Sequence, residues 1–192
     1  MDAADKIAVE NSIGKYLLGA LSHFGNVLLL SQELDMDTVF QVINLWFGCA
    51  SSLGDEESSN AIIAKIHSLM NKIIQNAPSF KFIPLTYQIF SRLGQAMTTP
   101  NTNTTSNSTS VKISQESNEA FNRNLSSLAF KLCCDHPYHT LPQLFALINE
   151  EQNLSPGEVS SSRVQCAKHI LLMLRQYGGK QEQQEMSNVI NS

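Results

Sequence analysis

A chain of 192 residues with 42% apolar and 16% charged residues is long enough to bury a real core, and its charge share lies below the ~25% usual for soluble domains. A net charge of −4 and a pI near 5.7 exclude a nucleic-acid footprint, which needs clustered Lys and Arg. The longest wholly apolar run, Val27 to Leu30, is too short for a membrane span of ~20 residues, and Cys49, Cys133, Cys134 and Cys166, lacking framework spacing, read as reduced intracellular thiols.

From Ala3 to Leu30, the residues Ile13, Leu17, Ala20, Phe24, Val27 and Leu28 recur at three- and four-residue steps, which predicts an amphipathic helix. Gly14, Gly19 and Gly25 oppose it unless a neighbour crosses closely, an approach that Gly19, Ala20 and Ser22 would permit. A second helix is expected to start at Asp35 or Asp37 and to run through Val39, Val42, Ile43, Trp46 and Phe47. A third, capped by Asn60, carries Ile62, Ile63, Ile66, Leu69, Met70, Ile73 and Ile74 and stops at Asn76-Ala77-Pro78. The fourth begins near Ser79 or Phe82 with Pro84 in its first turn, continues to Leu93 and ends at Gly94.

Between Thr98 and Ser110 every residue except Pro100 is Thr, Asn or Ser, a composition too poor in apolar side chains to offset the entropy of ordering. Residues 98–116 are therefore expected to form a disordered insertion. Helix five spans roughly Ser117 to Cys134, with Phe121, Leu125, Leu128 and Leu132 on one face. Helix six follows Asp135-His136-Pro137, with Thr140 as its candidate cap, Pro142 in the first turn, and Leu144, Phe145, Leu147 and Ile148 as its apolar residues. Ser155 should cap helix seven, with Pro156 and Glu158 in its first turn; Val164, Ala167, Ile170, Leu171 and Leu174 lie inside. Gly178-Gly179 would end it, leaving a disordered tail over 180–192. The organisation expected is helical repeats over 1–97 and 117–179, an all-α stack of antiparallel helix pairs of the HEAT or TPR solenoid type without a crisp repeat period.

Cys133, Cys134, His136 and His139 are the one cluster of potential metal ligands, but vicinal cysteines interrupted by Pro137 do not match zinc spacing. Nor does a third group stand ready to orient a Cys–His nucleophile pair. The favoured reading is a helix corner, with Asp135 and Thr140 supplying hydrogen bonds and Pro137 setting its direction. His23, His67 and His169 are expected at the surface or its boundary. Phe80, Phe82, Tyr87 and Phe90 read as core and not as a base-stacking platform. Gly14-x4-Gly19 lacks the Gly-Lys-Ser/Thr of a phosphate loop, and no kinase catalytic motif occurs, so no catalytic, cofactor or metal residue is assigned.

Two segments carry a family resemblance. Phe80-Lys81-Phe82-Ile83-Pro84-Leu85-Thr86-Tyr87-Gln88 and Asp135-His136-Pro137-Tyr138-His139-Thr140-Leu141 resemble a helix start and a helix corner of the FAT region that precedes the catalytic domain in the ATM branch of the phosphatidylinositol 3-kinase-related protein kinases. Phe145-Ala146-Leu147-Ile148-Asn149 extends the likeness, and Ser161 to Arg175 adds a weaker one. The Thr/Asn/Ser tract departs from the family, as does Tyr138, where vertebrate-like members carry another histidine. The resemblance implies a non-catalytic piece of a large nuclear serine/threonine kinase that signals DNA double-strand breaks. ATP and Mg would then be needed only in an absent kinase domain. Phe82, Pro84, Leu85, Tyr87, Asp135, His136, Pro137, His139 and Thr140 would act as scaffold geometry, with the parent kinase domain and a second copy in a homodimer as protein partners, and neither direct nucleic acid nor membrane. The alternative is a free-standing helical-repeat adaptor that binds a partner helix in an open groove.

Overall fold

The structure is a computed structural model that describes residues 3–53, 57–95, 108–150 and 160–190. Among these every regular element is helical: α1 (Ala3–Leu30), α2 (Met36–Ser52), α3 (Glu57–Asn76), a 3-10 turn (Ser79–Leu85), α4 (Thr86–Ser91), α5 (Ser108–Asp135), α6 (Pro137–Asn149) and α7 (Ser162–Ile190). The all-α reading of the sequence therefore holds. The chain divides into two compact units, one made of Met1–Phe82 and Gln95–Asn124, the other of Ile83–Gly94 and Leu125–Ser192.

In the first unit α1 packs on α2 and α3, but only in part through the predicted stripe, of which Leu28 is buried and Leu17, Ala20 and Phe24 are half-buried. Ile13 and Val27 are exposed, whereas Gly14, Leu21, Gly25 and Leu28 are buried. Gly14 and Gly25, about three turns apart, bring the helix backbone onto its neighbours. A Cβ at Gly14 would collide with the Ile62 side chain, and one at Gly25 would lie 2.5 Å from Ile73 Cδ1. Gly19, expected at the crossing, is exposed with nothing within 4 Å. Ser12–Leu30 is also long and apolar enough to cross a membrane by length and composition, which the short run Val27–Leu30 did not reveal.

Asp35 caps α2, accepting from the amides of Asp37 at 3.1 Å and Thr38 at 3.3 Å. The α2 stripe buries Val39, Val42, Ile43 and Trp46 as expected. Helix α3 starts at Glu57, so Asn60 lies inside the first turn and is not its cap; it stops at Asn76, before Pro78. Ile63, Ile66, Met70, Ile73 and Ile74 form its buried face.

In the second unit α6 packs on both α4 and α7. The predicted fourth helix is split: residues 79–85 form the 3-10 turn and only Thr86–Ser91 is α-helical. Pro84 has no amide to donate and disfavours the α conformation at Ile83, so an α-helix cannot propagate through it. Gly94 ends the segment at φ 67°, the left-handed conformation expected of a glycine stop. Its missing side chain also admits α7, because a Cβ there would stand 2.5 Å from the Ser162 carbonyl carbon.

Helix α5 begins at Ser108, not Ser117, taking in the end of the tract expected to be disordered; residues 96–107 lie outside the described residues. Ser155, Pro156 and Glu158 lie outside them as well, and α7 starts at Ser162, with the Ser161 hydroxyl accepting from the Val164 amide at 3.3 Å. Helix α7 continues past Gly178-Gly179 to Ile190. Two glycines weaken a helix by about 1 kcal/mol each, yet the following Lys, Gln, Glu and Met are all good helix formers.

Candidate functional site

The 3-10 turn carries Phe82, buried in the core of the first unit, and Pro84 and Leu85, which belong to the second unit, as does Tyr87 on α4. Of the aromatic set, Phe82 and Phe90 are core as predicted, but Phe80 and Tyr87 are exposed, Tyr87 at 79%. Lys81, between Phe80 and Phe82, is fully buried. Its ammonium donates to the carbonyl oxygens of Leu28 at 2.8 Å and Ser31 at 2.5 Å, where α1 ends. The last turn of α1 has no basic residue of its own, so a lysine from a distant turn satisfies carbonyls that the helix leaves open. Asp35 nearby has its carboxyl held below the usual range, first by the Thr38 hydroxyl and amide and more weakly by the Lys81 charge.

At the corner, the His136 amide donates to Leu132 O at 2.8 Å, closing α5, and Pro137 opens α6 at a position where a missing amide is harmless. Thr140 is not a cap. The residue flanking α6 is His136, which makes no side-chain cap, while the buried Thr140 hydroxyl donates backward to His136 O at 2.9 Å. Pro142 accordingly sits in the second turn of α6 and not the first. Asp135 and His139 are exposed, and Asp135 acts through its charge on Lys131, partly opposing the downward pull of burial on that amine.

Burial pushes the Cys133 thiol up to about 11, against an opposing hydrogen bond with Thr140. The Cys134 thiol is raised as well, chiefly by burial. Both thiols thus stay protonated near neutral pH, the opposite of what a nucleophile needs. Among the described residues no group of three or more His, Cys, Asp or Glu is placed to hold a metal ion.

The second unit also carries a small groove of about 160 Å³ between α4, α6 and α7, floored by Phe90 and Leu147 and edged by Tyr87. At its rim Arg163 pairs with Glu150 at 2.6 Å. This groove joins Tyr87, from the first sequence motif, to the helix that the second motif begins.

His67, expected at the surface or its boundary, is buried, 3% exposed. Its place on the Ile63–Ile66–Met70 stripe was the available signal. Trp46 Nε1 donates to His67 Nδ1 at 3.3 Å, which puts the imidazole proton on Nε2. Asn124 Nδ2 donates to the His67 carbonyl at 2.8 Å, and the Phe121 ring packs 5.0 Å from Trp46. Burial lowers the His67 pKa to about 4. Helices α2, α3 and α5 therefore meet at one neutral histidine within the first unit. His23 and His169 are exposed, as expected.

No family model matches the chain, and no solved structure matches it. Curated relatives do. The serine/threonine-protein kinase ATM of Arabidopsis thaliana is 29% identical over 184 residues, 93% of this chain and 4% of the relative. The serine-protein kinase ATM of Sus scrofa is 26% identical over 160 residues, 82% of this chain and 4% of the relative. The kinase tel1 of Schizosaccharomyces pombe is 25% identical over 178 residues, 91% of this chain and 5% of the relative. The chain thus spans about one twentieth of the length of the kinases it matches. Over nearly all its own length, it is similar to one short region of the ATM and TEL1 serine/threonine kinases of plants, animals and fungi.

Proposed function

We propose that this chain is a non-catalytic helical scaffold equivalent to the FAT region of an ATM-like serine/threonine kinase acting in the nucleus on DNA double-strand breaks. The observation that carries this reading is the extent of the match, 82–93% of the chain against 4–5% of each relative. A short segment whose regular elements are all helical among the described residues fits a support better than a reaction centre. In this reading the corner from Asp135 to Thr140 and the turn from Phe82 to Tyr87 fix helix directions, and the protein partners are the parent kinase domain and a second copy of the chain. The chain itself takes no cofactor; ATP and Mg serve the kinase domain.

The groove edged by Tyr87 favours a second reading, a free-standing helical-repeat adaptor. Reading the coding sequence on both sides of this segment, together with size-exclusion chromatography of the isolated chain, separates the two. An in-frame kinase domain downstream is the outcome expected. A stop codon directly after Ser192, with the chain behaving as a cooperative monomer, would overturn the scaffold reading in favour of the adaptor.

A further inference from the structure

The junction between α1 and α2 exposes apolar side chains that a closed surface would cover. Leu30 is 84% exposed, Leu34 44%, Met36 39% and Phe40 46%. Met36 and Phe40 lie one turn apart on α2 and so share a face, while Leu30 and Leu34 bracket the connection leading into it. Large exposed apolar residues are unremarkable singly, but four within eleven positions, at a junction pinned by the Lys81 bonds to Leu28 and Ser31, make a fixed patch.

The same stretch selects the charge of what covers it. From Leu30 to Phe40 the sequence contains Glu33, Asp35 and Asp37 and no Lys or Arg, and all three carboxylates are exposed. The partial charges of the α1 C-terminus and the α2 N-terminus, roughly −0.5 and +0.5, cancel. Three carboxylates against the single buried Lys81 then leave about two negative charges around the patch. That sign disfavours a second copy docked face to face through the same patch, since a two-fold contact sets like charge on like. It also disfavours an anionic membrane surface.

We infer that the α1–α2 junction is a docking surface for an amphipathic helix of another polypeptide, whose apolar face covers Leu30, Leu34, Met36 and Phe40 and whose flanking Lys or Arg residues meet Glu33 and Asp37. This inference stands apart from the kinase reading, because it uses only this junction.

The test is isothermal titration calorimetry of the full chain with a designed peptide of Leu and Lys, about five helical turns long and patterned so that the Leu residues share one face. The same pattern with Glu in place of Lys, and a scrambled Leu/Lys sequence, serve as comparisons. The patterned Leu/Lys peptide should bind, and the other two should not. Replacing Leu34→Ser and Phe40→Ser together should weaken binding by at least ~10-fold. Replacing Glu33→Gln and Asp37→Gln should weaken it several-fold at low salt and flatten its salt dependence. The charge pair lies on exposed positions, so it keeps the inference testable should the apolar pair disturb folding. Equal affinity in both double variants, equal binding of the scrambled or Glu peptide, or a dimer of the chain dissolved by these substitutions would each overturn it.

Discussion

The ammonium of Lys81 lies 2.8 Å from the carbonyl oxygen of Leu28, joining residues 53 apart in sequence. A buried cation is costly unless its donors find acceptors, and here two helix-end carbonyls, of Leu28 and Ser31, accept from it. Lys81→Met keeps the stem but removes the ammonium, leaving the Leu28 and Ser31 carbonyls without this partner. The variant should lose about 1–3 kcal/mol of stability, read as a lower urea midpoint at unchanged slope.

Gly94 and Gly19 should respond in opposite directions to the same substitution. At Gly94 an alanine would adopt φ 67° and would meet Ser162 backbone atoms at 2.5–2.6 Å. The strained conformation alone costs about 1–2 kcal/mol, and displacing the start of α7 adds to it. At Gly19, exposed in mid-helix with open space around it, alanine should stabilise by about 0.5–1 kcal/mol. Thermal melts of the two variants, followed by circular dichroism, check both signs.

His67 should make the first unit sensitive to acid. Its pKa is about 4 in the folded protein and 6.5 as the ordinary value, so between these limits the unfolded chain binds more protons. Stability is therefore fully present above about pH 6.5 and falls as the pH drops toward 4, by about 3 kcal/mol from this residue. Urea midpoints measured across that window should show the loss. His67→Gln retains an acceptor for Trp46 without titrating in this range, and should flatten the dependence relative to the native chain.

Helix punctuation was legible in part, as local chemistry: Asp35 at a start, Pro78 after a stop and Gly94 at a left-handed turn each act within a few residues of themselves, whereas Asn60 and Thr140 are not caps and Gly178-Gly179 is not a stop. The buried stripes of α2, α3 and α5 were legible too, since large apolar side chains mark them. The packing face of α1 was so only in part. Periodicity counts bulk, whereas that face is set by the absence of side chains at Gly14 and Gly25, and which glycine meets a neighbour depends on tertiary crossing. Lys81 escaped for a related reason, as its partners lie on a distant helix and a lysine in sequence reads as surface. At the corner, the residue pattern identified the bend and Thr140, but not the direction in which the hydroxyl donates.

Trp46 is the sole tryptophan of the chain, and its indole is fully buried against Phe121 with its N–H held by His67. Its emission is consequently a built-in optical probe of the joint between α2, α3 and α5. An intact joint gives a blue-shifted band, and parting of these helices exposes the ring to water and moves the band to the red, with no label attached.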